Sequence, residues 1–221
     1  MTDLEAASDS RRLRKRALTA NHLAATAFRL FEKHGYDAVA MEQIADEADV
    51  AKATLYNYFP VKEALIAHRF REDIAAGMAE RAAALTACKT FESRMQFLLR
   101  ESAAWHTARK AYLPQYLRYL TSQARYGDES PRAVTAESGS RQILTLMFAA
   151  AQETGEVDTR QSAAQIAWSF EYLLFGAVAA WLTDPSMDLT MRFLAAFDLT
   201  MHGMANTANK HSKSPGAGAK Q

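Results

Sequence analysis

The chain has 221 residues, 49% hydrophobic and 23% charged, the balance of a folded protein of one or two domains with a sizeable core. Its net charge of +1 is unevenly spread: from Ser10 to Phe70 ten Lys/Arg face seven Asp/Glu, net +3, leaving −2 for the remainder. The single cysteine, Cys88, excludes an intrachain disulfide and a cysteine metal cluster, and fits a reducing compartment.

The N-terminal stretch "MTDLEAASDSRRLRKR" places acids first and has no apolar centre, so it does not read as a signal peptide. The most apolar stretch, Tyr172 to Leu182, is about half of what spans a bilayer. A cytoplasmic protein is expected. Gly and Pro are scarce, strong helix formers abound and no alternating Val/Ile/Thr runs occur, which predicts an all-α fold.

Residues 1–18 are expected to form a flexible arm in which five of the six residues Arg11 to Arg16 are basic. Its Arg14 and Arg16 are candidates for phosphate or minor-groove contact. A first helix is expected from Thr19, a suitable N-cap, with Leu23, Ala27, Leu30, Phe31 and His34 on its inner face and Gly35 as its left-handed stop. A second is expected over Met41 to Ala48, with Ile44, Ala45 and Ala48 inward. After the short turn Asp49-Val50-Ala51, a third runs from Lys52 to Tyr58, and a fourth starts near Pro60.

A longer helix followed by two short ones across a tight turn is the helix-turn-helix pattern. On the third helix Leu55 and Phe59 share the core side. Thr54, Tyr56 and Asn57 point away or flank, with Lys52 and Tyr58 at the edges. The free face therefore offers hydroxyls, an amide and a cation, groups that bind phosphates and base edges. Thr54 and Asn57 are assigned to base edges, Tyr56 and Tyr58 to phosphates, and Lys52 and Lys62 to phosphates at the starts of the third and fourth helices.

The stretch "FRLFEKHGYDAVAMEQIADEADVAKATLYNYFPVKEAL" (Phe28 to Leu65) resembles the DNA-binding domain of TetR-family transcriptional regulators. The resemblance rests on LF-x-x-x-GY, IA-x-x-A, V-x-K-x-TLY-x-x-F and K-x-x-L, and covers about a fifth of the chain. It implies a homodimer whose subunits carry an N-terminal three-helix reader and a larger helical domain for effector binding and dimerisation. The domains are then 19–66 and 67–205, followed by a disordered tail over 206–221. Three positions depart from the family pattern. Asp49 stands at the usual turn glycine, Ala51 at a cap that is often Ser, and Val39-Ala40 at a link that often holds Thr or Ser. Aspartate tolerates the left-handed turn, but the two alanines cannot cap or contact DNA through a side chain.

Beyond residue 75 the pattern is long helices with short breaks. Met95, Leu98, Leu99, Ser102 and Trp105 share a face; Pro114 interrupts "KAYLPQYLRYL", and "YGDESP" is a loop. The last two helices, near 160–182 and 188–204, are apolar nearly all round. Met191, Leu194, Ala195 and Leu199 are expected to point inward. Helices this apolar need cover on several sides, and pairing with a second copy supplies it. Phe175, Gly176, Ala179, Ala180, Leu194 and Phe197 are the candidate dimer contacts. Trp105, His106, Tyr116, Phe148, Trp168 and Tyr172 are the candidate effector contacts, since aromatic side chains line apolar ligand sites. Few ionisable groups sit on these faces, so a largely uncharged, hydrophobic or aromatic effector is expected.

The six histidines show no metal-ligand spacing, and neither a Gly-rich phosphate loop nor G-x-S-x-G is present. No enzyme, metal or cofactor is expected. The reading is a ligand-responsive repressor of double-stranded DNA. The alternative is a dimeric helical ligand-binding or protein-interaction module whose reader is weakened at Ala40 and Ala51.

Overall fold

A computed structural model of the chain describes residues 3–126 and 139–203. Among these residues there are helices and no strands. Helices α1 (Asp3–His34), α2 (Met41–Glu47), α3 (Lys52–Tyr58) and the start of α4 (Lys62–Ala87) form the N-terminal unit. α5 (Phe91–Ala108), a 3-10 turn (Lys110–Tyr112), α6 (Leu113–Tyr126), α7 (Gly139–Glu153), α8 (Ala163–Thr183) and α9 (Leu189–His202) form the rest. The loop expected at "YGDESP" past Tyr126 and the tail expected over 206–221 lie outside the described residues.

In α1 the residues Leu23, Ala24, Ala27, Leu30 and Phe31 are buried together with Ile44 and Ala45 of α2, Leu55 of α3 and Leu65, Ile66 and Phe70 of α4. Apolar residues three and four apart place each stripe against its neighbour. Gly35 ends α1 at φ 83 with its N–H on the Phe31 carbonyl at 2.8 Å. Asp49 takes φ 55 and so turns the chain where a glycine would be easiest. The Val50 N–H closes that turn on the Ala45 carbonyl at 3.0 Å.

Two expectations for α1 are corrected. The helix begins at Asp3 rather than Thr19. No Gly or Pro interrupts residues 3–18, and Thr19 turns its hydroxyl back onto the Lys15 carbonyl at 3.1 Å, a mid-helix bond rather than a cap. The arm is thus helical over its described residues, with Leu13 and Leu18 exposed. His34 is exposed too, since the chain turns away at Gly35.

α4 links the two units. Its first half packs on α1, and its body meets α6 and α7. Thr90 caps α5 in a capping box with Ser93, while Pro114 falls in the first turn of α6, where its missing N–H does no harm. The second core centres on Phe91, Phe148, Phe170 and Phe197, whose rings lie 5.3–6.0 Å apart in successive contacts. α9 turns Leu189, Phe193 and Phe197 inward, whereas Met191, Ala195 and Leu199 face outward. That corrects the expected inner face of α9: its outward side is apolar too, so pattern alone could not tell the two apart. Helix α8 is longer than the apolar stretch read from the sequence, and by length and composition alone it could cross a bilayer.

Aromatic and ionic contacts tie the units together. Tyr112 of the 3-10 turn stacks on Phe28 of α1 at 5.2 Å. Arg118 of α6 pairs with Glu63 of α4 at 2.9 Å. Asp73 of α4 holds both Arg69 at 2.9 Å and Arg109 at 2.8 Å.

Candidate nucleic-acid interface and effector site

Helix α3 is two turns long and is held by Leu55, fully buried, and by Phe59 immediately after it. Ala51 and Ala40 stand at the N-caps of α3 and α2 without a side-chain cap bond. With Leu55 and Phe59 fixed inward, Lys52, Ala53, Tyr56 and Asn57 are exposed and Thr54 and Tyr58 half-buried. This is the expected outward set. Lys52 is exposed and makes no ion pair among the described residues.

Two side chains of this face have partners that the sequence did not reveal. The Tyr56 hydroxyl donates to Glu42 Oε1 at 3.3 Å. Lys62 Nζ donates to the carbonyls of Tyr36 at 2.6 Å and Val39 at 2.8 Å, and sits 4.2 Å from the Tyr36 ring centroid. Lys62 is therefore a clamp on the α1–α2 link, with one N–H uncommitted among the described residues. The Tyr36 phenol is held above its ordinary pKa by burial and the Glu63 carboxylate. Arg16 lies 5.8 Å from the Tyr58 ring, bringing the basic part of α1 alongside α3. Arg14 is exposed on the same extension.

The candidate effector residues divide into three groups. Trp105 and Tyr116 both pack edge-on against Phe70, at 4.7 and 4.9 Å, and His106 packs on Trp105 and Phe193. These three stand together. Phe148 is enclosed by Phe91 and Phe170 in the core. Trp168 and Tyr172 are 49% and 45% exposed on the outer side of α8, so the structure does not bring them to the others. Their spacing put them on one stripe, but that stripe is the outward one.

His106 donates from Nδ1 to the Ser102 carbonyl at 2.7 Å, which leaves Nε2 as the unprotonated nitrogen; burial lowers its pKa to about 4. The Tyr116 phenol is pushed up to about 12, by burial first and then by Glu171. Trp105 Nε1 and Gln115 Oε1 are buried without a hydrogen-bond partner. Sequence reading missed Arg71, half-buried on α4, whose charge is felt at Tyr116. Its neighbours in sequence gave no sign that the start of α7 would pack against it.

Of the candidate dimer contacts, Gly176 and Ala180 are exposed and Phe175, Ala179 and Leu194 half-buried. Phe197 is buried within its own subunit against Phe91 and Phe170, which removes it from that set.

A helix-turn-helix with a polar outward third helix, joined by a long fourth helix to a larger helical unit, defines a DNA-binding regulator with a separate sensing domain. Residues 23–68 match the profile of the family described as bacterial regulatory proteins, tetR family. The regulator MftR of Mycobacterium tuberculosis, named for mycofactocin biosynthesis, is 25% identical over 89% of this chain and 96% of its own. The transcriptional repressor KstR of the same organism is 28% identical over 88% of this chain and 86% of its own. A crystal structure of Thermus thermophilus FadR, described as a TetR family repressor in complex with lauroyl-CoA, superposes with a TM-score of 0.72 at 21% identity. That match covers 90% of this chain and all of the other. Residues 23–68 thus carry the DNA-binding domain that this family's profile describes, and over its greater length the chain shares the fold of the FadR repressor.

Proposed function

We propose that two copies of the chain pair through α8 and α9 and place their α3 helices in successive major grooves of a near-palindromic operator. The protein acts in the cytoplasm as a repressor, and a small hydrophobic effector releases it. The observation that carries this reading is the outward set Lys52, Thr54, Tyr56 and Asn57, displayed by a helix whose other side is locked by Leu55 and Phe59. Thr54 and Asn57 face base edges; Lys52, Tyr56 and Tyr58 face phosphates, with the helical basic extension carrying Arg14 and Arg16 beside them. The kinship to KstR, a named repressor, supports repression.

Effector action follows from linkage. A ligand that binds better to the subunit arrangement with the wrong α3 spacing lowers operator affinity by the ratio of its two affinities. The cluster of Trp105, His106 and Tyr116 is the proposed sensing region. The lauroyl-CoA complex of the FadR structure makes that compound a reasonable first effector to try.

The test is selection of bound fragments from the source genome, followed by operator affinity against salt with and without lauroyl-CoA. A palindromic site with a steep salt slope is expected. Weak, sequence-blind binding by protein freed of ligand through unfolding and refolding would overturn the reading. The uncapped starts of α2 and α3 at Ala40 and Ala51 favour one alternative, an interaction module that no longer grips DNA, and that same outcome would select it.

A further inference from the structure

Most of the half-buried arginines among the described residues hold carboxylates. Arg69 and Arg109 share Asp73, Arg81 takes Glu101 at 2.6 Å, and Arg141 takes Glu171 at 2.6 Å. Arg71 breaks the pattern. Its side chain is half-buried on α4, with its Cγ 3.4 Å from where a Cβ on Gly139 would sit, so the start of α7 packs against it. It makes no hydrogen bond and no ion pair among the described residues. A guanidinium taken partly out of water without a counter-ion is unfavourable unless something else supplies the charge.

Tyr116 of α6 packs edge-on at 4.9 Å against Phe70, the residue that precedes Arg71 on α4. Tyr116 is 9% exposed, and its hydroxyl makes no hydrogen bond among the described residues. The two charges felt there are Glu171 and Arg71. Glu171 is already committed, since it accepts from Arg141 at 2.7 Å and from Ser140 at 3.0 Å. Trp105 packs on the other edge of Phe70 and leaves its own buried N–H without an acceptor. Donors without acceptors therefore collect around Phe70, at the meeting of α4, α5 and α6. A pure hydrocarbon effector would leave them unpaired, whereas one with an anionic end supplies both acceptors and a counter-charge.

We propose that Arg71 and Tyr116 form an anion-binding subsite in the sensing domain, which takes the carboxylate or phosphate end of an otherwise apolar effector. The guanidinium pairs with the anion, and the phenol donates to one of its oxygens. Both bonds are charge-assisted and partly shielded from water, which strengthens them. The apolar body of the ligand lies against Phe70, Trp105 and their neighbours. This inference rests on the sensing-domain reading above and adds an acidic group to the effector expected there.

The experiment titrates the full-length protein with three probes that share a twelve-carbon chain: laurate, dodecyl phosphate and dodecanol, all below micelle formation, followed by tryptophan fluorescence and calorimetry. At least one anion is expected to bind about tenfold or more tighter than the alcohol, and which anion wins identifies the carboxylate or the phosphate source. Arg71→Gln is expected to erase that preference while leaving dodecanol within about twofold, and Tyr116→Phe to reduce it about threefold. Equal affinity for alcohol and anions, binding of none of the three, or a preference that survives Arg71→Gln would overturn the proposal. If Arg71→Gln does not fold, the comparison of probes on the unmodified protein decides alone. Operator affinity of the ligand-free protein is measured in parallel. Operator binding without anion preference removes this inference only, whereas loss of operator binding removes the DNA reading instead.

Discussion

Tyr56 and Glu42 are the pair on which the DNA-facing surface turns. The phenol leans on the Glu42 carboxylate in the free protein, and that carboxylate also places a negative charge beside any incoming phosphate. Glu42→Gln removes the charge and weakens the hold on the hydroxyl, and should tighten operator binding about two- to fivefold. Lys52 tests the same surface from the other side. Lys52→Ala should weaken binding about equally across sequences and reduce the salt slope by about 1, measured by anisotropy at several salt concentrations. Lys62→Ala is less informative, because it also abandons the carbonyls of Tyr36 and Val39; hydrogen bonds to a charged group are worth about 1.5–3 kcal/mol each. Histidine sets the acid side of stability. His106 titrates at about 4 in the fold against an ordinary 6.5, because burial disfavours its cation. His68, buried and bonded to Asn21 at 2.6 Å, is shifted in the same direction. Between pH 6.5 and 4 the unfolded chain takes up a proton at His106 that the folded chain refuses, so stability is full above 6.5 and falls as pH drops through that window. Urea unfolding at pH 7 and pH 5 should differ by about 1–2 kcal/mol from this group, and His106→Gln should remove that part of the difference.

At the scale of the elements, α2 and α3 were legible in the sequence because everything that makes them is local. Asp49 between two short amphipathic stretches announces the turn, and the structure gives it φ 55. Leu55 and Phe59 fix which side faces out. The same local rules misled at α1. Thr19 satisfies every condition for an N-cap except that the residues before it are themselves good helix formers, so the helix runs through it. The clamping role of Lys62 and the whole of Arg71 lay beyond sequence reading, since the partner of the first is a backbone turn 23 residues away and the second is defined by lacking one among the described residues. Caps offer a direct check on the local argument. Ala51 starts α3 in extended geometry, φ −63 and ψ 143, with no side chain to take the free N–H groups. Ala51→Ser should raise stability by about 0.5–2 kcal/mol, read as a higher thermal midpoint. A fall instead would mean that position 51 is crowded in a way its exposure does not suggest.

Across the whole molecule, α8 decides whether the subunit acts alone. Its one charged residue, Glu171, turns inward to Arg141. The outer arc is left to Trp168, Tyr172, Leu173, Gly176 and Ala180 without a single charge, and beside it Met191, 58% exposed, and Leu199 extend the same apolar surface onto α9. A patch of that kind on a folded chain marks a contact surface. The sequence could count the apolar residues of these helices but could not divide them between core and partner, which is why Phe197 and Met191 exchanged roles. Gly176 separates the two demands. A Cβ built there meets nothing within 4 Å inside the subunit, so Gly176→Arg should leave the subunit fold intact, with a helix-propensity gain of up to about 1 kcal/mol. In a paired state the same side chain would bring a guanidinium into the centre of a close helix–helix contact. Sedimentation velocity should then show a monomer at concentrations where the parent chain is a dimer. Operator affinity should fall by orders of magnitude, because the second half-site no longer benefits from the first. If Gly176→Arg remains dimeric with unchanged operator affinity, the subunits join through another surface, and the spacing of the two α3 helices must be set elsewhere.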